Sequence, residues 1–153
     1  MNQKPLEVAG MVINGLSIAL FFFLASVLDV PQSRPIFAYA AWLLFAIGLA
    51  LVLLSTMTLA TKRAPGLIDR GIYGIVRHPM YLGAMLLFLS WIFFLPHGIT
   101  VLLSSVNAAI VYGFILQGER ANIERFGEAY RRYMDEVPRI NLFRGLLRCL
   151  RTQ

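Results

Sequence analysis

Residues 80–117 read MYLGAMLLFLSWIFFLPHGITVLLSSVNAAIVYGFILQ, two apolar runs without a single charge on either side of Pro96-His97-Gly98. Adjacent Pro and Gly punctuate a chain sharply, so the stretch reads as a helical hairpin. A helix rises about 1.5 Å per residue against a hydrocarbon core of about 30 Å, so about 20 apolar residues are needed to cross a bilayer. The run at 99–117 meets that length, whereas the run at 80–95 is short and should leave one end below the membrane surface.

Working outward, two more charge-free runs occupy 9–28 and 36–61, the second long enough to tilt or protrude. The expectation is a single all-α membrane domain over 1–153, with about four transmembrane helices at 9–28, 36–61, 80–95 and 99–117 and a cytosolic segment at 118–153. The chain is 58% hydrophobic and 14% charged, and its mean hydropathy is +0.68, which excludes an ordinary soluble domain. The first run is as long as a full span and lacks a small-x-small cleavage site, so it is read as a helix and not as a signal peptide.

The cations set the orientation. Lys62, Arg63, Arg70 and Arg77 lie in the second connection, and Arg120, Arg125, Arg131, Arg132, Arg139, Arg144, Arg148 and Arg151 follow the last span, while the other connections hold only Arg34. Lys and Arg are retained on the cytosolic side, so both basic regions and both termini are expected there. The net charge of +6 tracks a membrane surface, with no zinc-ligand or helix-turn-helix pattern around it. Anionic lipid, not nucleic acid, is the expected partner. Cys149 is the only cysteine, which rules out an intrachain disulfide and a cysteine-based metal site.

Beyond Gln117 a helical period continues through Glu119, Ile123, Phe126, Tyr130, Tyr133 and Val137, and it predicts one helix that ends before Pro138 with Glu119 where the span emerges. Glu128 is placed to pair with Arg131 or Arg132. Arg139 then falls on an extended stretch, where its fork can bind a carboxylate or a lipid phosphate. Leu142, Phe143, Leu146, Leu147 and Leu150 alternate with Arg144, Arg148 and Arg151 as an interfacial amphipathic helix would. At the mouth of the hairpin, Pro79 suits the first helical position and His78 the N-cap, leaving backbone N–H groups that favour an anion.

Two polar clusters thus return to one membrane face. One is Gly-Ile-Tyr-Gly-Ile-Val-Arg-His-Pro-Met-Tyr-Leu-Gly at 71–83. The other is Phe126-Gly127-Glu128-Ala129-Tyr130-Arg131-Arg132-Tyr133 followed by Val137-Pro138-Arg139. In this order, separated by a hydrophobic hairpin, they resemble the isoprenylcysteine carboxyl methyltransferase family, and they are similar also to the phospholipid methyltransferases. The resemblance covers about half the chain, from Gly71 to Arg139. It implies a methyltransferase in a prokaryotic inner membrane that takes S-adenosylmethionine, releases S-adenosylhomocysteine and acts on a lipophilic or lipidated acceptor.

By the same resemblance, His78, Pro79, Tyr81, Gly83, Glu119, Tyr130 and Tyr133 bind the cofactor, Glu119 and Arg139 are catalytic, and no metal is required. Simpler roles stand beside these: Tyr130 and Tyr133 as packing, Gly74 and Gly83 as close helix contacts, Glu119 as a partner of Arg120. The family usually shows two adjacent acids after the last span, whereas here Glu119 is followed by Arg120 and the spacing to Phe126-Gly127 is one residue short. Two other functions remain open at this point: a nicotinamide-dependent reductase like the intramembrane sterol reductases, which share the Arg-His-Pro-x-Tyr pattern, and a non-catalytic scaffold that keeps the fold.

Overall fold

The computed structural model describes residues 4–28, 35–61 and 66–151. Arg34, Lys62 and Arg63, which entered the orientation argument, lie outside the described residues. The described chain forms α1 (Lys4–Val27), α2 (Pro35–Ala60), α3 (Ile72–Ile75), α4 (Pro79–Phe94), α5 (Gly98–Phe126), α6 (Glu128–Glu136) and α7 (Leu142–Arg151). Three helices, α1, α2 and α5, are long and apolar enough to cross a membrane, and α4 is a shorter apolar helix. At 16 residues α4 spans about 24 Å, short of the hydrocarbon thickness, as its sequence predicts.

Helix α4 lies between α2 and α5, and α1 closes against α5. Small residues make the contact between α2 and α4. A Cβ on Gly83 would stand 2.6 Å from the Gly48 carbonyl oxygen, and one on Gly48 would stand 2.8 Å from that of Gly83, so α2 and α4 meet backbone to backbone. Lipid tails are as apolar as leucine, so helices in a membrane associate through such close packing and through polar bonds, not through burial of large side chains. Polar bonds are present too: Ser104 donates to the Phe88 carbonyl at 2.8 Å, and Asn107 donates to Ser17 Oγ at 2.9 Å, joining α5 to α4 and to α1. Phe21 stacks on Trp91 at 5.1 Å between ring centres. Most large apolar side chains described in α1 and α2, among them Leu16, Phe22, Trp42 and Met57, face outward.

The turn between α4 and α5 forms where Pro96-His97-Gly98 predicts it, with His97 Nδ1 accepting the Ile99 N–H at 3.3 Å. The far end departs from the sequence reading. Helix α5 runs nine residues past 117 and stops at Phe126, so Glu119 sits inside a helix and not at its exit. The single helix expected over 119–137 is broken at Gly127, whose φ of +54° belongs to the left-handed region that favours glycine. Helix α6 begins directly after it, turned so that Tyr130 and Tyr133 enter an apolar cluster with Val137.

Candidate functional site

The polar end of the bundle is assembled by backbone bonds between the two sequence clusters. The Arg77 N–H donates to the Pro138 carbonyl at 3.0 Å and the His78 N–H to the Arg139 carbonyl at 3.2 Å. Both segments are non-helical because Pro79 and Pro138 each disfavour helix in the residue before them, which leaves their amides and carbonyls available. The Tyr133 hydroxyl donates to the Tyr73 carbonyl at 2.6 Å, tying α6 to α3. Helix α7 docks with Gly145 against the Ile75 carbonyl, where a side chain would not fit, and Arg148 donates to the Gly74 carbonyl at 2.6 Å.

Glu119 is the centre of this end. It is 4% exposed. Arg139 grips it with two parallel bonds, Nε to Oε1 at 3.0 Å and Nη2 to Oε2 at 2.7 Å, and donates through Nη1 to the Tyr112 hydroxyl at 2.9 Å. Arg77 Nη2 lies 3.4 Å from Glu119 Oε1, and His78 Nε2 lies 3.3 Å from the same oxygen. A carboxylate only accepts, so neutral His78 carries its proton on Nε2 and leaves Nδ1 as the acceptor nitrogen. Burial holds the His78 imidazole below its usual pKa, outweighing the attraction of Glu119. The bond to Glu119 holds the Arg139 guanidinium above its usual value.

Beside this cluster lies a cavity of about 270 Å³ lined by Arg77, His78, Tyr73, Tyr81, Tyr130 and Tyr133, with Gly118, Asn122, Arg125 and Phe126 from α5. Burial raises the pKa of Tyr73, Tyr130 and Tyr133, so all three line it as neutral phenols. The cluster holds two guanidinium groups against one carboxylate. Two nitrogens of Arg77, Nε and Nη1, are buried without a hydrogen-bond partner among the described residues. A buried cation left short of partners is costly, so an anionic group that reached these nitrogens beside the cavity would be held there.

The structure brings together five residues singled out from sequence, His78, Tyr81, Tyr130 and Tyr133 on the cavity and Glu119 behind it, and it draws in Arg139 through Glu119. Pro79 and Gly83 are not among the cavity's lining residues: Pro79 is the buried first residue of α4, and Gly83 fills the contact with α2. The carboxylate that meets the Arg139 fork is Glu119 of this chain. Arg77 and Tyr73 entered as members of the 71–83 cluster, Arg77 also as a cytosolic cation, and Tyr112 was not singled out. Tyr112 precedes Glu119 by seven residues, two helical turns on one face, which is the signal that places it beside Arg139.

The family model for phospholipid methyltransferases matches residues 36–128, from the start of α2 through the first residue of α6. The match contains His78, Tyr81 and Glu119 and ends before Tyr130, Tyr133 and Arg139. No curated protein and no solved structure matches the chain.

Proposed function

Since the chain belongs to the phospholipid methyltransferase family, whose members generally use S-adenosylmethionine, we propose that it transfers a methyl group from S-adenosylmethionine to a lipophilic acceptor at the cytosolic membrane face. The observation that carries this reading is the pair of unpartnered nitrogens on buried Arg77, beside neutral His78 and four tyrosines. The cofactor's residues fit the group. Arg77 would receive its carboxylate through the planar fork. The faces of Tyr81, Tyr130 and Tyr133 suit a cationic sulfonium. When bound, the cofactor supplies a methyl carbon activated by positive sulfur.

The protein's share is alignment and exclusion of water. Arg139 acts through Glu119: it neutralises the carboxylate and fixes it against Arg77 and His78. A carboxylate acceptor needs no base, whereas an amine, thiol or hydroxyl must lose a proton, and Nδ1 of His78 is the basic nitrogen at hand. We also assign α7 to the surface of an anionic bilayer, because Phe143 and Leu150 are largely exposed on the helix that carries Arg144, Arg148 and Arg151. The family favours this reading over a nicotinamide-dependent reductase.

Purified protein in detergent provides the test. S-adenosylhomocysteine should raise the unfolding temperature in a concentration-dependent way, as any ligand of the native state does. Membranes incubated with methyl-labelled S-adenosylmethionine should yield a labelled, solvent-extractable product. Arg77→Gln should weaken the stabilisation at least about tenfold in apparent affinity, the size of one charged hydrogen bond. Stabilisation by a dinucleotide and not by S-adenosylhomocysteine would return the chain to the reductase reading, and stabilisation by neither would make it a scaffold.

A further inference from the structure

A second cavity, of about 410 Å³, lies between α1, α4 and α5. It shares Tyr81 and Gly118 with the cavity beside Arg77 and His78, so the two adjoin across these residues. Among the described residues, none that lines it carries a charge. Its walls hold two carboxamides, Asn14 of α1 and Gln117 of α5, and the side-chain oxygen of each is buried without a hydrogen-bond partner among the described residues. Through Gln117 and Phe114 it continues into an apolar groove of about 210 Å³ between α1 and α5. Gln117 precedes Glu119 by two residues, about 3 Å along the helix axis, and points to another side of α5.

Each feature limits the occupant. An unpaired buried carboxamide oxygen is costly, and a donor on a ligand that reaches it removes that cost. A carboxylate or phosphate would meet no cation among the described residues that line the chamber, and Arg139 is committed to Glu119 on a different side of α5. The apolar groove accepts a hydrocarbon tail.

We infer that the chamber at Asn14 and Gln117 is the acceptor site, and that it takes an uncharged lipophile whose hydroxyl head hydrogen-bonds to these two carboxamides. The inference rests on the methyltransferase reading and names its substrate class. In the reaction the acceptor heteroatom's lone pair forms the bond to the methyl carbon as the carbon–sulfur bond breaks, its electrons staying on sulfur in the thioether product. The proton displaced from the acceptor goes to Nδ1 of His78, whose ring centre lies 5.9 Å from that of Tyr81, the side chain the two cavities share.

Photo-labelling tests it. Purified protein is irradiated with a diazirine-bearing long-chain alcohol or the matching fatty acid, both at fixed concentration, and the labelled peptides are mapped by mass spectrometry. The alcohol should label the α1 and α5 segments around Met11 and Phe114 in preference to the acid. The double variant Asn14→Leu, Gln117→Leu should reduce that labelling about tenfold, the worth of two neutral hydrogen bonds. Stabilisation by S-adenosylhomocysteine, measured on the same variant, should be unchanged and also reports that the variant folds. Undiminished labelling of the variant, or equal labelling by the acid, overturns the inference and leaves the methyltransferase reading standing. Loss of the S-adenosylhomocysteine effect in the unaltered protein overturns that reading, and the acceptor role falls with it even if the alcohol still labels.

Discussion

The apolar part of the bundle and its polar end fill their interiors differently: the first mixes small and hydroxyl-bearing residues with a few large side chains such as Phe21 and Ile115, the second relies on tyrosine and valine. Among α1, α2, α4 and α5 the fully buried positions include Ala41, Ser55, Ser90 and Thr100, while Trp42 and Phe22 are exposed by 62% and 63%. At the polar end Tyr130, Val76 and Val137 are buried, and charges such as Glu128 and Arg131 stand outside. The difference is one of solvent. Lipid gives most large apolar side chains no reason to leave it, so small residues and hydroxyls share the interior with only a few of them, such as Phe21 and Ile115, whereas water drives tyrosine and valine inward. One chain therefore obeys two burial rules, and the candidate site lies on the boundary, where Glu119 is buried in both senses: away from water, and among charges.

If that boundary cluster holds the polar end together, Glu119→Ala has the largest effect of any single change considered. It removes the only carboxylate and leaves Arg77 buried beside Arg139 with no counter-charge. Breaking a buried pair in this way costs about 3–5 kcal/mol, and the partial exposure of Arg139 moves the expectation to the lower end. Thermal unfolding in detergent measures it, with Glu128→Ala as the control, since Glu128 meets Arg131 on the surface and should change little. Equal unfolding temperatures for the two variants would mean that the polar end is held by Tyr130, Tyr133 and the backbone bonds alone, and that its buried charges are incidental.

A smaller effect tests the lipid-facing side of the comparison. Gly83→Ala drives a methyl into the Gly48 carbonyl and should destabilise by about 1–3 kcal/mol through overpacking. Gly113→Ala meets open space and should stabilise by up to about 1 kcal/mol. S-adenosylhomocysteine affinity should be the same in both variants. A loss of affinity at Gly83→Ala with stability intact would transfer that glycine from helix packing to the cofactor site.

How much of this was legible in the sequence follows the same division. Hydropathy shows the spans and the Pro96 turn because crossing a bilayer is a matter of length and charge, and these are local. It does not show which face of a span is buried, since large apolar residues are favoured toward lipid; Gly48 opposite Gly83 becomes meaningful only once α2 and α4 are paired. At the polar end the residue types pointed to His78 and Glu119, but their mutual contact depends on Pro138 and Arg139 returning to Arg77 and His78 through two backbone bonds. The helical period hid the break at Gly127, because the apolar positions stay in phase across it. Asn14 and Gln117 were invisible as a pair, lying 103 residues apart in uniformly apolar runs.

The smallest expected effect concerns His78 and decides how the boundary cluster is charged. Burial lowers its pKa in the folded protein, while the attraction of Glu119 opposes that shift and the repulsion of Arg77 and Arg139 adds to it. Between the unfolded value of about 6.5 and the lower folded value, the unfolded chain binds more protons than the folded one, so stability must fall as pH drops through this window. Above about pH 7.5 both states hold a neutral imidazole, and His78 contributes no slope. Unfolding temperatures taken between pH 7.5 and 5.5 should therefore decline, and His78→Gln, which keeps a donor toward Glu119 without a titrating group, should flatten the decline. The opposite slope, with stability rising as pH falls, would require a protonated His78 in the folded state. Three cations would then share one carboxylate, Nδ1 could not take a proton from an acceptor, and removal of water would no longer be the force that governs the buried charges at this end of the molecule.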